Sequence, residues 1–109
     1  MATNYKVLGQ ANPAATTATT LYTVPSATSA VVSTIAVCNQ GGSSATFRVA
    51  IRPAGATLAA QHYIAYDSTV TANNTTFITI GVGLATTDVI TVYASNTSLS
   101  FSAFGTEIA

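Results

Sequence analysis

Charge is what this chain lacks most. Six of its 109 residues are charged: Lys6, Arg48, Arg52, Asp67, Asp88 and Glu107, for a net charge of zero. Charged residues make up 6% of the chain, against about 25% in an ordinary globular domain. Nucleic-acid binding draws its affinity from many Lys and Arg contacts to phosphate, and three scattered cations make a poor footprint. An anionic membrane surface is disfavoured for the same reason, so neither nucleic acid nor membrane is an expected partner. There is one cysteine, Cys38, so no internal disulfide can form; in its apolar run it reads as a small hydrophobe. There is no tryptophan and one histidine. No apolar run reaches the roughly 20 residues of a membrane-spanning helix. The opening MATNYKVLGQ holds no apolar signal-peptide core, which leads us to expect synthesis in a cytoplasm.

What remains is apolar and β-branched. Hydrophobic residues are 49% of the chain, too many for disorder. With so little charge to keep copies apart, solubility falls to Thr, Ser and Asn. The composition suits a protein whose faces are covered by copies of itself or by a larger scaffold.

Seven or eight short strands follow from the turn signals and alternations. Residues 1–20 read as a first strand or an extended arm that pairs with a neighbour. Pro13 and the Thr cluster disfavour helix there. Residues 21–109 read as the sandwich proper, the whole forming one domain. Leu21–Val24 is a strand ending at Pro25, which cannot donate to a ladder. Ala30–Asn39 is the longest run. Strict alternation puts Val31, Ser33, Ile35 and Val37 on one face and Val32, Thr34, Ala36 and Cys38 on the other. Neither face is polar, so burial on both sides is expected, with one side free for a subunit contact. Gly41 and Gly42 mark a hairpin. Ala45–Arg52 then alternates, with Phe47, Val49 and Ile51 inward and Thr46, Arg48, Ala50 and Arg52 outward. Further strands are expected at His62–Tyr66, Thr75–Ile80 (punctuated by Gly81 and Gly83), Val89–Ala94 and Leu99–Phe104. Close spacing and the absence of an amphipathic helical pattern predict an all-β, antiparallel β-sandwich or jelly roll.

No catalytic, cofactor or metal site is expected. His62 could be combined on paper with Asp67 or Asp88 and a serine, but no G-x-S-x-G elbow is present. One His, one Cys and three carboxylates show no paired ligand spacing. Asp67 and Asp88 read as turn acceptors. Glu107 reads either as a solvated terminal charge or as an intersubunit partner for an arginine. Arg48 and Arg52, four apart on one strand, share a face and could dock onto carboxylates of a scaffold. Tyr63, Tyr66 and Tyr93 could stack on a sugar, although strict alternation sends Tyr63 and Tyr66 to opposite faces. The candidate contact residues are therefore Val31, Ser33, Ile35, Val37, Arg48 and Arg52.

Five segments carry a resemblance: LYTVP at 21–25, AVVSTIAVCNQ at 30–40, FRVAIRP at 47–53, LAAQHYIAYDSTVTANNTTFITIG at 58–81 and LSFSAFGTEI at 99–108. In this order they resemble a small module of bacteriophage virion structural proteins, especially those of cyanophages and related marine phages. The resemblance covers nearly the whole chain. It implies a non-enzymatic structural role in the virion. One placement is a capsid decoration, or cement, protein bound to the major capsid protein, commonly as a homotrimer. Another is a tail, baseplate or fibre component. From a different class, the alternative is a carbohydrate-binding module for host attachment.

Overall fold

The computed structural model describes residues 2–109. Eight strands account for most of the chain: β1 (Thr3–Ala11), β2 (Thr19–Thr23), β3 (Ser29–Asn39), β4 (Ala45–Arg52), β5 (Tyr63–Val70), β6 (Thr75–Leu84), β7 (Val89–Ala94) and β8 (Leu99–Ile108). They form two four-stranded antiparallel sheets, ordered β1-β8-β3-β6 (sheet A) and β2-β7-β4-β5 (sheet B). Strand 1 pairs with 8, 2 with 7, 3 with 6 and 4 with 5. That is one long hairpin, turned between β4 and β5, rolled up so that alternate rungs fall in opposite sheets. This is the jelly roll, the more specific of the two expected forms.

The core lies between the sheets. Val32, Ile35 and Val37 of β3, Phe47 and Val49 of β4, Ile90 and Val92 of β7, and Leu99, Phe101 and Ala103 of β8 are all buried. Phe47 and Phe101 meet edge-to-face across the two sheets, their ring centroids 6.1 Å apart. The inward set expected for the first half of the hairpin is thus largely realised: Phe47 and Val49 are sealed and Ile51 is partly covered.

The segment expected as a strand or reaching arm supplies a strand of the chain's own sheet. Thr3–Ala11 pairs with β8 from Ile108 back to Phe101. Ala2 and Ala109 extend the ladder with reciprocal backbone bonds of 2.9 Å. Strand β2 begins at Thr19, two residues before the expected boundary. Strands β1 and β2 close one flank of the sandwich tightly. A Cβ at Gly9 would fall 2.0 Å from the Leu21 carbonyl oxygen, so only glycine permits that approach.

Bulges decide which residues face out. In sheet A an irregularity crosses β3 between Val32 and Thr34. Ser33 is the extra residue against β8, and Ile80 with Gly81 oppose it on β6. A bulge shifts the phase of a strand by one residue. Val31 and Ser33 therefore point outward, and Ile35 and Val37 point into the core with no exposure. The four residues expected on one contact face are split in pairs. Ile35 and Val37 are core residues, unreachable by a partner without unfolding. Strand β6 also runs on through Gly81 and Gly83 to Leu84, past the expected end at Ile80.

Candidate interaction surfaces

Two outward sheet faces have opposite characters. On sheet B, β4 turns Arg48 and Arg52 outward, as alternation predicts. Tyr93 lies directly across from Arg48 on β7. On β5 a bulge places Tyr66 and Asp67 together opposite Arg48, because Phe47 pairs with Ser68 and Val49 with Ala65. Asp67 takes a φ of 52°, a left-handed conformation that aspartate tolerates better than most residues. A second irregularity then sets Tyr63 across from Ala50.

These two slips bring Tyr63 and Tyr66 to the same face, against the expectation from strict alternation. Their rings meet edge-to-face at 4.9 Å. The Arg48 guanidinium lies 4.1 Å from the centre of the Tyr66 ring and 4.3 Å from that of Tyr93. Its Nε donates to Asp67 Oδ1 at 2.7 Å. That hydrogen bond pushes the arginine's pKa further up, so its charge is fixed at any ordinary pH. Asp67 is therefore an ion-pair partner, not the turn acceptor its sequence position suggested. Beside the cluster, a groove of about 640 Å³ is lined by Leu58, Ala59, Ala60, Tyr63 and Tyr66.

Arg52 has a different task. Its Nε donates to the Ala56 carbonyl at 2.7 Å, one terminal nitrogen to the Gly55 carbonyl at 3.0 Å and the other to Thr91 Oγ1 at 3.2 Å. The fork is spent on holding the turn after β4. Asp88 fastens the same end, accepting from the backbone N–H groups of Ala54 and Ala85, both at 2.8 Å. This is the turn role expected of it. With Arg48 engaged by Asp67 and Arg52 by its own backbone, neither arginine presents a free fork to a scaffold carboxylate. His62 closes a 3-10 turn, its Nδ1 accepting from the Ala59 N–H at 3.0 Å. Among the described residues, no group of three or more His, Cys, Asp and Glu lies close enough to hold a metal ion.

The outward face of sheet A carries no charged side chain among the described residues. Its cross-strand rows can be read from the register. One row runs Tyr5, Thr106, Val31, Gly83; the next Val7, Phe104, Thr34, Thr79; a third Gln10, Ser102, Ala36, Phe77. Tyr5 is 85% exposed and Phe77 67%. Four strands at the usual spacings cover roughly 600 Å² of such surface, close to the roughly 800 Å² each partner contributes to a standard stable interface.

The two charges that sheet A does hold point the other way. Lys6 sits in the row of Gly105 and Val32, on the core side, and Glu107 in the row of Ala30. Lys6 Nζ lies 3.0 Å from Glu107 Oε1, and the Tyr22 hydroxyl donates to Glu107 Oε2 at 2.5 Å. This three-residue contact ties β1 and β8 of one sheet to β2 of the other. Glu107 is thus an internal partner, neither a solvated terminal charge nor a ligand for an arginine of another copy. The hydrogen bond from Tyr22 and then the bond and charge of Lys6 hold its carboxyl below the usual range. Burial, then the adjoining carboxylate, raise the Tyr22 hydroxyl above its ordinary value of 10.0.

The sign of the resulting pH dependence is fixed. A carboxyl with a depressed folded pKa contributes stability above its unfolded value, about 4.3, and loses it as pH falls through the folded value. Thermal unfolding followed from pH 7 downward should therefore show the gap between wild type and Glu107→Gln narrowing below about pH 4.3. A gap that stays constant or widens on acidification would remove Glu107 from the rim contact.

The signals that sequence reasoning missed are long-range ones. Asn39, read as the end of a strand, is 1% exposed and joins three loops. Its Nδ2 donates to the carbonyls of Ser43, Val70 and Thr71, and its Oδ1 accepts from the Gly41 N–H and the Ser98 hydroxyl.

No protein-family model and no curated protein sequence matches the chain. Among solved structures, a chain in the structure of infectious bursal disease virus, Gx strain, is similar at a TM-score of 0.53 and 12% sequence identity. The alignment covers 97% of the present chain and 30% of that one. The present chain thus corresponds to less than a third of the viral chain's length, and the likeness is one of fold.

Proposed function

We propose that this protein is a structural component of a virus particle, that it catalyses no reaction, and that it works by burying the uncharged outer face of sheet A against other subunits. The observation that carries this reading is the segregation of charge. Lys6–Glu107 is turned inward at the rim, Arg48–Asp67 lies on sheet B, and Arg52 and Asp88 are tied to backbone. Sheet A is left with a broad face of Thr, Ser and apolar side chains. Removing such a face from water leaves no charge unpaired, which is the costliest fault an interface can have. Apolar area is worth about 25 cal/mol per Å² before association costs, and a shell repeats the contact many times.

The viral assignment has two supports. The sequence motifs resemble those of bacteriophage virion modules, and the fold resembles part of a chain in a virus structure. Within a phage, a decoration protein on the capsid surface fits better than a tail, baseplate or fibre part. Strand β1, the segment that could have been a reaching arm, is absorbed into the chain's own sheet. Copy number separates these placements. Quantitative mass spectrometry of purified particles should find the protein on the scale of the shell subunit itself. A handful of copies would move it to the tail, and absence from particles would end the virion reading.

A second reading is favoured by one observation. The tyrosines gathered beside the groove on sheet B offer aromatic surface next to backbone polar groups, as a saccharide site would. Jelly rolls serve both capsids and lectins, so the fold does not choose between them. Tyr66→Ala removes the ring that is 58% exposed. If the groove binds sugar, glycan-array signal present in wild type should vanish in this variant. No signal from wild type would discard this second reading.

A further inference from the structure

The two sheets have four edges, and three of them are guarded. Strand β1 carries Lys6 on its core-facing side, an inward charge that discourages further strands. It is also crowded by β2 at Gly9. Strand β2 is five residues long and runs into Pro25. Strand β5 is broken by two irregularities and carries Asp67 at its bulge. Strand β6 is different. It is ten residues long, TTFITIGVGL, with no charge and no proline. From Thr75 to Thr79 it runs in unbroken register with β3, before the irregularity at Ile80–Gly81, where Gly81 takes a φ of 59°. Its other side pairs with no strand among the described residues, so a row of backbone N–H and C=O groups is left unpaired there. The window TTFITI has the β propensity and lack of charge of segments that self-pair readily.

We propose that the β6 edge is a docking strand for a second copy of this chain, paired antiparallel about a two-fold axis through Phe77. A dyad perpendicular to the sheet keeps both copies' cores on the same side only if each residue pairs with one of the same facing. The unbroken stretch is centred on Phe77, so the pairs are Thr75 with Thr79, Thr76 with Ile78, and Phe77 with its own copy. Every member lies within the flat segment. The exposed Phe77 rings then meet on the outer face, and the two A sheets become one of eight strands. A second copy fits better than a foreign strand because the segment is uncharged and complementary to itself. This isologous contact rests on the self-assembly reading above and specifies where it occurs.

The test uses full-length protein in four forms. Wild type should sediment as a dimer or a multiple of it. Phe77→Lys, which places two like charges opposite each other, should be monomeric at the same concentration, with a cooperative melt whose temperature does not change with protein concentration. In a Cys38→Ser background, Phe77→Cys should form an intermolecular disulfide under mild oxidation, since directly opposed Cβ atoms lie about 4.5–5.5 Å apart. Tyr5→Cys, on the guarded edge, should not. If wild type is oligomeric but Phe77→Lys keeps its mass and Phe77→Cys does not cross-link, the β6 pairing is wrong and self-assembly stands. A wild type that stays monomeric, yet binds purified particles in a way that Phe77→Lys abolishes, makes a different chain the occupant and overturns the second copy. A wild type that stays monomeric and binds particles regardless of Phe77 overturns the edge while leaving the virion role. A protein absent from particles overturns that role separately.

Discussion

Phe101→Ala should lower the free energy of unfolding by about 3–5 kcal/mol, the usual cost of emptying a buried phenylalanine site. Phe101 is 1% exposed on β8, an interior strand of sheet A, and its ring meets that of Phe47 on β4, an interior strand of sheet B. The pair is an edge-to-face aromatic contact between the two layers. Neighbouring Val37, Ile35, Leu99 and Val92 extend from sheets pinned by their ladders, so the site can collapse only in part. Total stabilities of about 5–15 kcal/mol mean that this one change removes a large share. Urea unfolding of wild type and variant checks it. A loss below about 1 kcal/mol would mean that the sheets are not held together by this contact.

Asn39→Leu should cost about 3 kcal/mol or more, although it adds apolar surface at a buried site. The leucine has similar volume but cannot donate to the Ser43, Val70 and Thr71 carbonyls, nor accept from Gly41 and Ser98. Each buried polar group left without a partner costs about 1–3 kcal/mol, and at least the Val70 carbonyl contact is fully enclosed. The damage should be local as well as global. Hydrogen exchange ought to quicken at Gly41, Asn73 and Ser98, where the three loops meet. A variant as stable as wild type, with unchanged exchange in those loops, would show that the loops hold one another without Asn39.

The architecture was readable because most strands obey simple alternation. Ala45–Arg52 shows Phe47 and Val49 inward and Arg48 and Arg52 outward, and that pattern with short turns is sufficient for an antiparallel sandwich. Bulges were not readable. Ser33 and Asp67 are ordinary residues in ordinary strand sequence, yet each marks a point where the facing of its strand slips. One slip divided the expected contact set, sending Ile35 and Val37 into the core. In β5 the slip at Tyr66–Asp67 together with the second one at Ile64 collected Tyr63 and Tyr66, which alternation had separated. The pairing of Lys6 with Glu107 was invisible for another reason. It joins residues 101 positions apart, and only the rolling of the hairpin, which lays β1 against β8, makes them neighbours. Asn39 was legible only as the end of a strand, because its partners Val70, Thr71 and Ser98 come from loops far along the chain. The uncharged surface, by contrast, was implicit in the six charges. What the structure adds is their distribution, which leaves one whole sheet face without any.

That face is the proposed interface. Cryo-electron microscopy of particles containing the protein would test it most directly. The prediction is density for this jelly roll on the capsid, with the outer face of sheet A covered by a neighbouring subunit and sheet B turned toward solvent. Particles in which Tyr5, Val31 and Phe77 look out into bulk water, with contacts made instead through the Arg48 and Tyr66 side, would contradict it.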